Sequence, residues 1–235
     1  MAIAPVQTVT GSGLLVASFL LGTWTPAATD VVLLAVHTRG TAVTHTSVSG
    51  NSLTWTKIAE LNAASGQIRS SLWRAQGASP TAGQITVTLS AATSPTVIGV
   101  ATRFSGVNLA TPVEASITNS SSVANTTPTV NLTTLTNAAM GFASITHRGA
   151  TFTIGSGETA ILLNTSAGSG GDVLKVSTEY QITPTTGLVT LDGTLSAAND
   201  WIAIAASLVQ AGTSPSKVPG VPYVITPPLN FALEV

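Results

Sequence analysis

Charge is what this sequence has least of. Its 235 residues include 8 Lys+Arg and 9 Asp+Glu, 7% of the chain, against about 25% in an ordinary soluble domain. Few groups are therefore available to move protons, bind metals or neutralise phosphates. The net charge is −1 and no basic stretch occurs, so the phosphate-neutralising field that holds nucleic acid is missing. The polybasic segment that holds anionic lipid is missing too. Cysteine is absent altogether. That excludes disulfides, thiolate metal sites and Cys nucleophiles. It does not fix a compartment, because a large core does not need disulfides. Long apolar runs are also lacking: the longest near the start, Leu14–Leu21, has eight residues, far short of the roughly 20 needed to span a bilayer. It is expected to be a buried strand.

What is there instead is hydroxyl. The chain contains 38 Thr and 25 Ser. Hydrophobic residues make up 44% and the mean hydropathy is +0.44, so a sizeable core can form. Disorder pairs low hydrophobicity with high net charge, and neither holds here. A near-neutral balance also does little to keep copies apart.

Thr, Val and Ile dominate, with turn residues every 8 to 15 positions. That rhythm favours an all-β sandwich. Strands are expected near 13–21, 30–38, 53–60, 67–75, 84–90, 96–104, 113–118, 129–135, 138–147, 158–164, 172–182, 187–195 and 201–210. In Gln84–Leu89, Ile85, Val87 and Leu89 alternate with Thr86 and Thr88, a strand with one buried face. Leu174, Val176, Thr178 and Tyr180 form a second stripe, opposite Lys175, Ser177 and Glu179. Trp201–Leu208 could be a helix by propensity, but its Ile/Ala alternation favours a strand.

An internal echo links Asp30–Gly40 with Ala138–Gly149: each is an apolar strand ending in His, Arg and Gly, with His37 and His147 at matching ends. Thr96–Val107 and Asp200–Gly212 correspond downstream. Two halves, about 13–110 and 111–211, would suit a jelly-roll-like antiparallel β-sandwich with extended N- and C-terminal arms. Chance likeness among Val/Ala/Thr-rich strands is the alternative. The expected division is an N-terminal arm at 1–12, the sandwich at 13–211 and a Pro-rich C-terminal arm at 212–235. That last segment has five of the 12 prolines. Its apolar Val221, Tyr223, Ile225, Leu229, Phe231 and Leu233 are candidates for an assembly arm, packing on the same chain or on a neighbour.

No catalytic, metal or cofactor residues are expected. His37, His45 and His147 have no metal-ligand spacing. The acids stand singly, and Asp30, Asp172 and Asp200 are expected to satisfy backbone donors in turns. There is no Gly-x-Ser-x-Gly elbow. Gly155–Ala160 imitates a dinucleotide fingerprint, but a β-like run follows it where a helix is required, so it reads as a turn. Trp55 and Trp73 alternate with polar neighbours and could be a glycan-stacking platform or core; core is the favoured reading.

The first basic residue is Arg39, so no basic n-region of a secretory signal is expected. A trimmed mature form fits this, and so does a virion protein released by lysis. Asp30–Val36, Leu53–Thr56, Leu72–Ala75, Ile85–Ser90 and Phe104–Val107 resemble a loosely defined group of jelly-roll-like β-sandwich domains from phage structural proteins and bacterial surface proteins. The resemblance implies display and adhesion without catalytic residues. It points to a non-enzymatic virion structural protein, a bacteriophage head decoration or fibre/tail component. Its expected partners are its own copies, a trimer among the options, and other virion proteins such as the major capsid protein. The alternative is a secreted carbohydrate-binding or adhesion module, extracellular or on the cell surface.

Overall fold

The computed structural model describes residues 1–92, 96–121 and 123–212. Eight strands make the first half: β1 (Ala4–Gly13), β2 (Ser18–Leu20), β3 (Val31–Arg39), β4 (His45–Ser49), β5 (Thr54–Asn62), β6 (Ile68–Gln76), β7 (Thr86–Leu89) and β8 (Val97–Ser105). Eight more make the second: β9 (Val113–Ser120), β10 (Thr129–Thr134), β11 (Ala139–His147), β12 (Phe152–Ile154), β13 (Thr159–Ala167), β14 (Leu174–Thr183), β15 (Gly187–Leu195) and β16 (Trp201–Leu208). The first half pairs them as β1-β8-β3-β6-β5 and β2-β7-β4; the second as β9-β16-β11-β14-β13 and β10-β15-β12. Adding eight to each strand of the first half reproduces the second. Every pairing within these sheets is antiparallel. The 1-8-3-6 and 2-7-4 orders are those of a jelly roll, so each half runs through that topology on its own.

The two five-stranded sheets lie back to back and the three-stranded sheets cover their other faces, giving four layers. This explains the unbroken apolar runs in β3, β11 and β16, which alternation alone would not predict. Val32, Leu34 and Val36 point into the first half's own core, with Phe19, Ile85 and Val87. Val31, Leu33 and Ala35, one residue out of step, point the other way and meet Met140, Phe142 and Ile204 across the seam. Phe104 and Phe142 pack edge to face there, with centroids 5.7 Å apart. A second seam cluster joins Ile68, Ile98 and Val100 to Leu174, Val176 and Ile202. The second half's own core holds Leu132, Ala143, Ile145, Phe152 and Leu191. Across the seam β1 neighbours β13 and β5 neighbours β9, so a pseudo-twofold axis relates the halves. Each large apolar side chain buried this way stabilises the fold by about 1.5–3 kcal/mol.

The strand reading at Gln84–Leu89 holds as β7 from Thr86 on, and Trp201–Leu208 is borne out, pairing with β11 on one side and β9 on the other. Four expectations are corrected. Residues 1–12 are not a free arm: Ala4–Gly13 pairs with β8 as the edge strand of the first five-stranded sheet. Leu14–Leu21 is not a buried strand. The chain turns at Leu14 and Leu15, both exposed, and only Ser18–Leu20 forms β2. Gly11 permits this crossing, because a Cβ there would run into the Leu20 carbonyl. β4 and β12 went unforeseen, both being short. The internal repeat is real, but its histidines are not its matching positions. Arg39-Gly40 corresponds to Arg148-Gly149, with both glycines at positive φ. His37 therefore matches Thr146 and faces the seam, while His147 matches Thr38 and faces the second core. The Pro-rich 212–235 segment lies outside the described residues beyond Gly212.

Candidate functional site

Trp73 is 6% exposed and belongs to the first core. Its Nε1 donates to Ser71 Oγ at 2.8 Å, and Lys57 Nζ sits 5.0 Å from the ring centroid. A ring so enclosed has no face to offer a sugar, so the platform reading fails for Trp73. Trp55 packs against the same core while remaining partly exposed, and its Nε1 donates to Gly50 O at 3.4 Å. Trp24 and Trp201 are buried and donate to Asn51 and Asn125.

All three histidines are buried. His37 lies in the seam between Ser70 Oγ (2.7 Å from Nδ1) and Ser144 Oγ (2.9 Å from Nε2), so it ties the halves together. Burial pushes its pKa down to about 3. His45 Nδ1 lies 2.6 Å from Ser71 Oγ and its Nε2 3.3 Å from Thr38 Oγ1. Burial, then His37, Arg69 and Lys57, push it to about 3. His147 packs near Phe152 with neither ring nitrogen bonded. Burial and Lys175 push it to about 4. Neutral imidazole is the stable form at all three.

The acids act mainly as braces. Asp30 accepts from Ala27 N at 2.9 Å, as expected, and also pairs with Arg103 at 3.1 Å. Asp172 and Asp200 instead face Arg39 and Arg148 at 3.9 Å. Glu114 Oε1 accepts from Leu135 N, Thr136 N and Ser207 Oγ. Glu158 accepts from Gly155 N at 2.9 Å and Asp192 N at 2.7 Å, clamping the β12–β13 turn to β15. This is the segment that imitated a dinucleotide fingerprint, and it is a turn between strands. Glu179 was expected to lie opposite the stripe of Leu174, Val176, Thr178 and Tyr180. It does, but that side of β14 is also buried. Both Glu179 oxygens are buried without a partner. Burial, then Glu158 and Asp192, raise its pKa to about 9, so it is a neutral carboxylic acid near pH 7. No sequence signal marked it, because Lys175, Ser177 and Glu179 read as an ordinary solvated face.

Among the described residues, no group of three or more His, Asp or Glu could hold a metal ion. No helix of the described residues is long and apolar enough to cross a membrane.

The outer faces are the remaining surfaces of note. In the first three-stranded sheet Ser18, Thr46, Ser47 and Ser49 are exposed and Thr86 and Thr88 half-buried. No Asp, Glu, Lys or Arg occurs in β2, β4 or β7. The second outer sheet exposes Asn131, Thr133, Thr153, Thr190 and Thr194, and Asp192 is its one ionic residue. Thr190 Oγ1 donates to Asn131 Oδ1 at 2.9 Å. Threonine suits such a face because it is β-branched yet still binds water. The block thus presents nearly uncharged, hydroxyl-rich faces on opposite sides, with Leu20 exposed on the first and Leu188 on the second. No family model, curated protein or solved structure matches this chain.

Proposed function

We propose that this chain is a non-enzymatic structural protein of a virus particle, a bacteriophage head decoration or fibre/tail component that assembles with its own copies and with shell proteins such as the major capsid protein. The observation that carries the reading is the pair of outer β-faces, hydroxyl-rich and almost free of ions, each with one exposed leucine. Such faces meet neighbours without long-range repulsion and without desolvating charge. The back-to-back halves supply a stiff block to hold them apart. Beyond Gly212 the sequence adds Val221, Tyr223, Ile225, Leu229, Phe231 and Leu233 among prolines. A solvated linker has no use for so many large apolar side chains. Buried against a neighbour, they would contribute at about 25 cal/mol per Å² before ordering costs.

The test compares the full chain with one ending at Gly212, by light scattering and by binding to undecorated particles. The shortened chain should keep its thermal transition and lose assembly. A shortened chain that still forms the full oligomer would refute this role for the tail. Among glycan-binding alternatives, a platform built on Trp73 has lost its support, because that ring is buried.

A further inference from the structure

Arg74 and Lys175 are the two described cations with no carboxylate within ion-pair distance, and Arg74 alone of the two lines a groove. Arg39, Lys57, Arg69, Arg103 and Arg148 each lie within 3.9 Å of a carboxylate. Arg74 has no such partner among the described residues, and it is only partly exposed. In a chain with so few ions, a half-buried guanidinium without a counter-ion is unusual, because desolvating a charge is costly unless something pairs with it.

Its surroundings are organised. Arg74 lies on the seam-facing side of β6, towards the strand's end. Thr56 is its cross-strand neighbour, and Gln76 is opposite Thr54. These four side chains line a groove of about 470 Å³, with apolar Ala28 and Leu109 on its flanks. The volume falls in the range of small-molecule sites. Gln76 Nε2 donates to Leu109 O at 3.0 Å, which fixes the amide, while its Oε1 is buried with no partner. A second groove of about 470 Å³ opens on the other side of Arg74, reaching Glu114. Glu114 Oε2 is also buried and unpartnered. Both acceptors are sealed from solvent, so the polar groups a ligand can reach in the groove are the exposed Thr54 and Thr56 hydroxyls and the Arg74 guanidinium. The pseudo-twofold mate keeps a threonine, Thr159, opposite Tyr180 but lacks the arginine and the amide. There Tyr180 and Ile182 stand where Arg74 and Gln76 stand in the first half.

We propose that the groove at Arg74 binds a carboxylated sugar unit of an acidic oligosaccharide. The guanidinium takes the carboxylate through two parallel N–H···O bonds. The exposed Thr54 and Thr56 take ring hydroxyls, and Ala28 and Leu109 meet the less polar face of the ring. The neighbouring sugar towards Glu114 is neutral, because a second anion there would meet a carboxylate. One cation flanked by neutral hydroxyls and an acid matches a singly charged carboxylate better than a phosphate dianion. The site needs nothing from residues 213–235, so it stands or falls separately from the assembly reading.

The test is a titration of the isotope-labelled full chain with sodium glucuronate, glucose and inorganic phosphate, following the amide signals of Thr54, Thr56 and Gln76. Glucuronate should shift them with a millimolar Kd, and glucose should bind about tenfold more weakly. The glucuronate affinity should fall as salt rises. Arg74→Gln should weaken glucuronate binding about tenfold or more, and Arg74→Lys by less. Thr56→Val, a change at an exposed position, should weaken binding by about threefold even if the arginine variants fold poorly. Tyr180→Ala should leave the affinity unchanged. Shifts that glucose reproduces in full would overturn the proposal. So would phosphate binding more tightly than glucuronate, or no shift with glucuronate at all. Unchanged binding by a folded Arg74→Gln or by Thr56→Val would do the same.

Discussion

Trp73 in the first half and Glu179 in the second occupy the same place in the fold. Ser71 pairs with Val36 on β3, and Ser177 pairs with Ile145 on β11; the next inward residue on each strand is Trp73 or Glu179. In the first core, a chain of contacts runs from His45 through Ser71 to Trp73, and Lys57 covers the ring and donates to His45 O at 2.8 Å. In the second core, Glu179 and His147 have no hydrogen-bond partner. Identical strand order thus supports two different interiors, one whose inward His45 and Trp73 are paired and one whose inward His147 and Glu179 are not. Topology follows from where the strands pair. The cost of each interior follows from what the inward positions carry.

The difference should appear first in pH dependence. The histidines have folded pKa values depressed from 6.5, so their contribution to stability is complete above 6.5 and is lost as pH falls towards 3–4. Glu179 has a folded pKa raised from 4.5 to about 9, so its contribution is complete below 4.5 and is lost as pH rises towards 9. In the second half His147 and Glu179 oppose each other between 4.5 and 6.5; in the first, His37 and His45 act together. Stability should therefore peak near pH 6.5 and fall by roughly 5 kcal/mol by pH 4.5, with a gentler decline on the alkaline side. Urea titrations across pH measure this. Hydrogen exchange assigns it, with acid loosening the first core and the seam and alkali the second core. A profile flat from pH 5 to 8 would contradict both halves of the argument.

Next in size is the seam. Phe142→Ala removes one partner of the Phe104 contact and should cost about 3–5 kcal/mol. If the seam couples the halves, signals from both cores should still move in one transition in the wild type, and split in this variant. A variant that keeps a single transition and loses under 1 kcal/mol would show that the halves do not depend on this contact. The smallest expected effect sharpens the comparison from the other side. Glu179→Met should stabilise the chain by roughly 3 kcal/mol at pH 7, while the pH-dependent part of that gain vanishes below 4.5. It should also flatten the alkaline decline. An unchanged alkaline slope would mean that another group causes it.

Much of the fold was legible in the sequence because a half-buried strand writes its two faces in alternation. Ile85, Val87 and Leu89 declared their core side outright. Edge and crossing segments were harder to read. Ala4–Gly13 has mixed burial and two glycines near its end, so it lacks an apolar stripe and passed for an arm. Leu14 and Leu15 looked buried by composition, yet they sit on an exposed turn. The groove at Arg74 was invisible, since its parts come from β5, β6 and the segment around Leu109, and no spacing rule joins them. The tail residues Val221–Leu233 remain an assembly hypothesis carried by their composition.

The sequence by itself determined that this chain is all-β, built on a large core and dressed in hydroxyls in place of ions. It also offered an internal repeat, with chance likeness as the alternative, and the strand order decided for the repeat. Tertiary structure alone decided what covers each strand face. Alternation shows that a strand has two sides, but both sides of β3, β11 and β14 are buried, one in a jelly roll and the other in the seam. For the same reason it placed His37 and His147 on opposite faces and stranded Glu179 in a core. A one-residue difference in register is small in sequence and reverses a side chain's surroundings in a sheet.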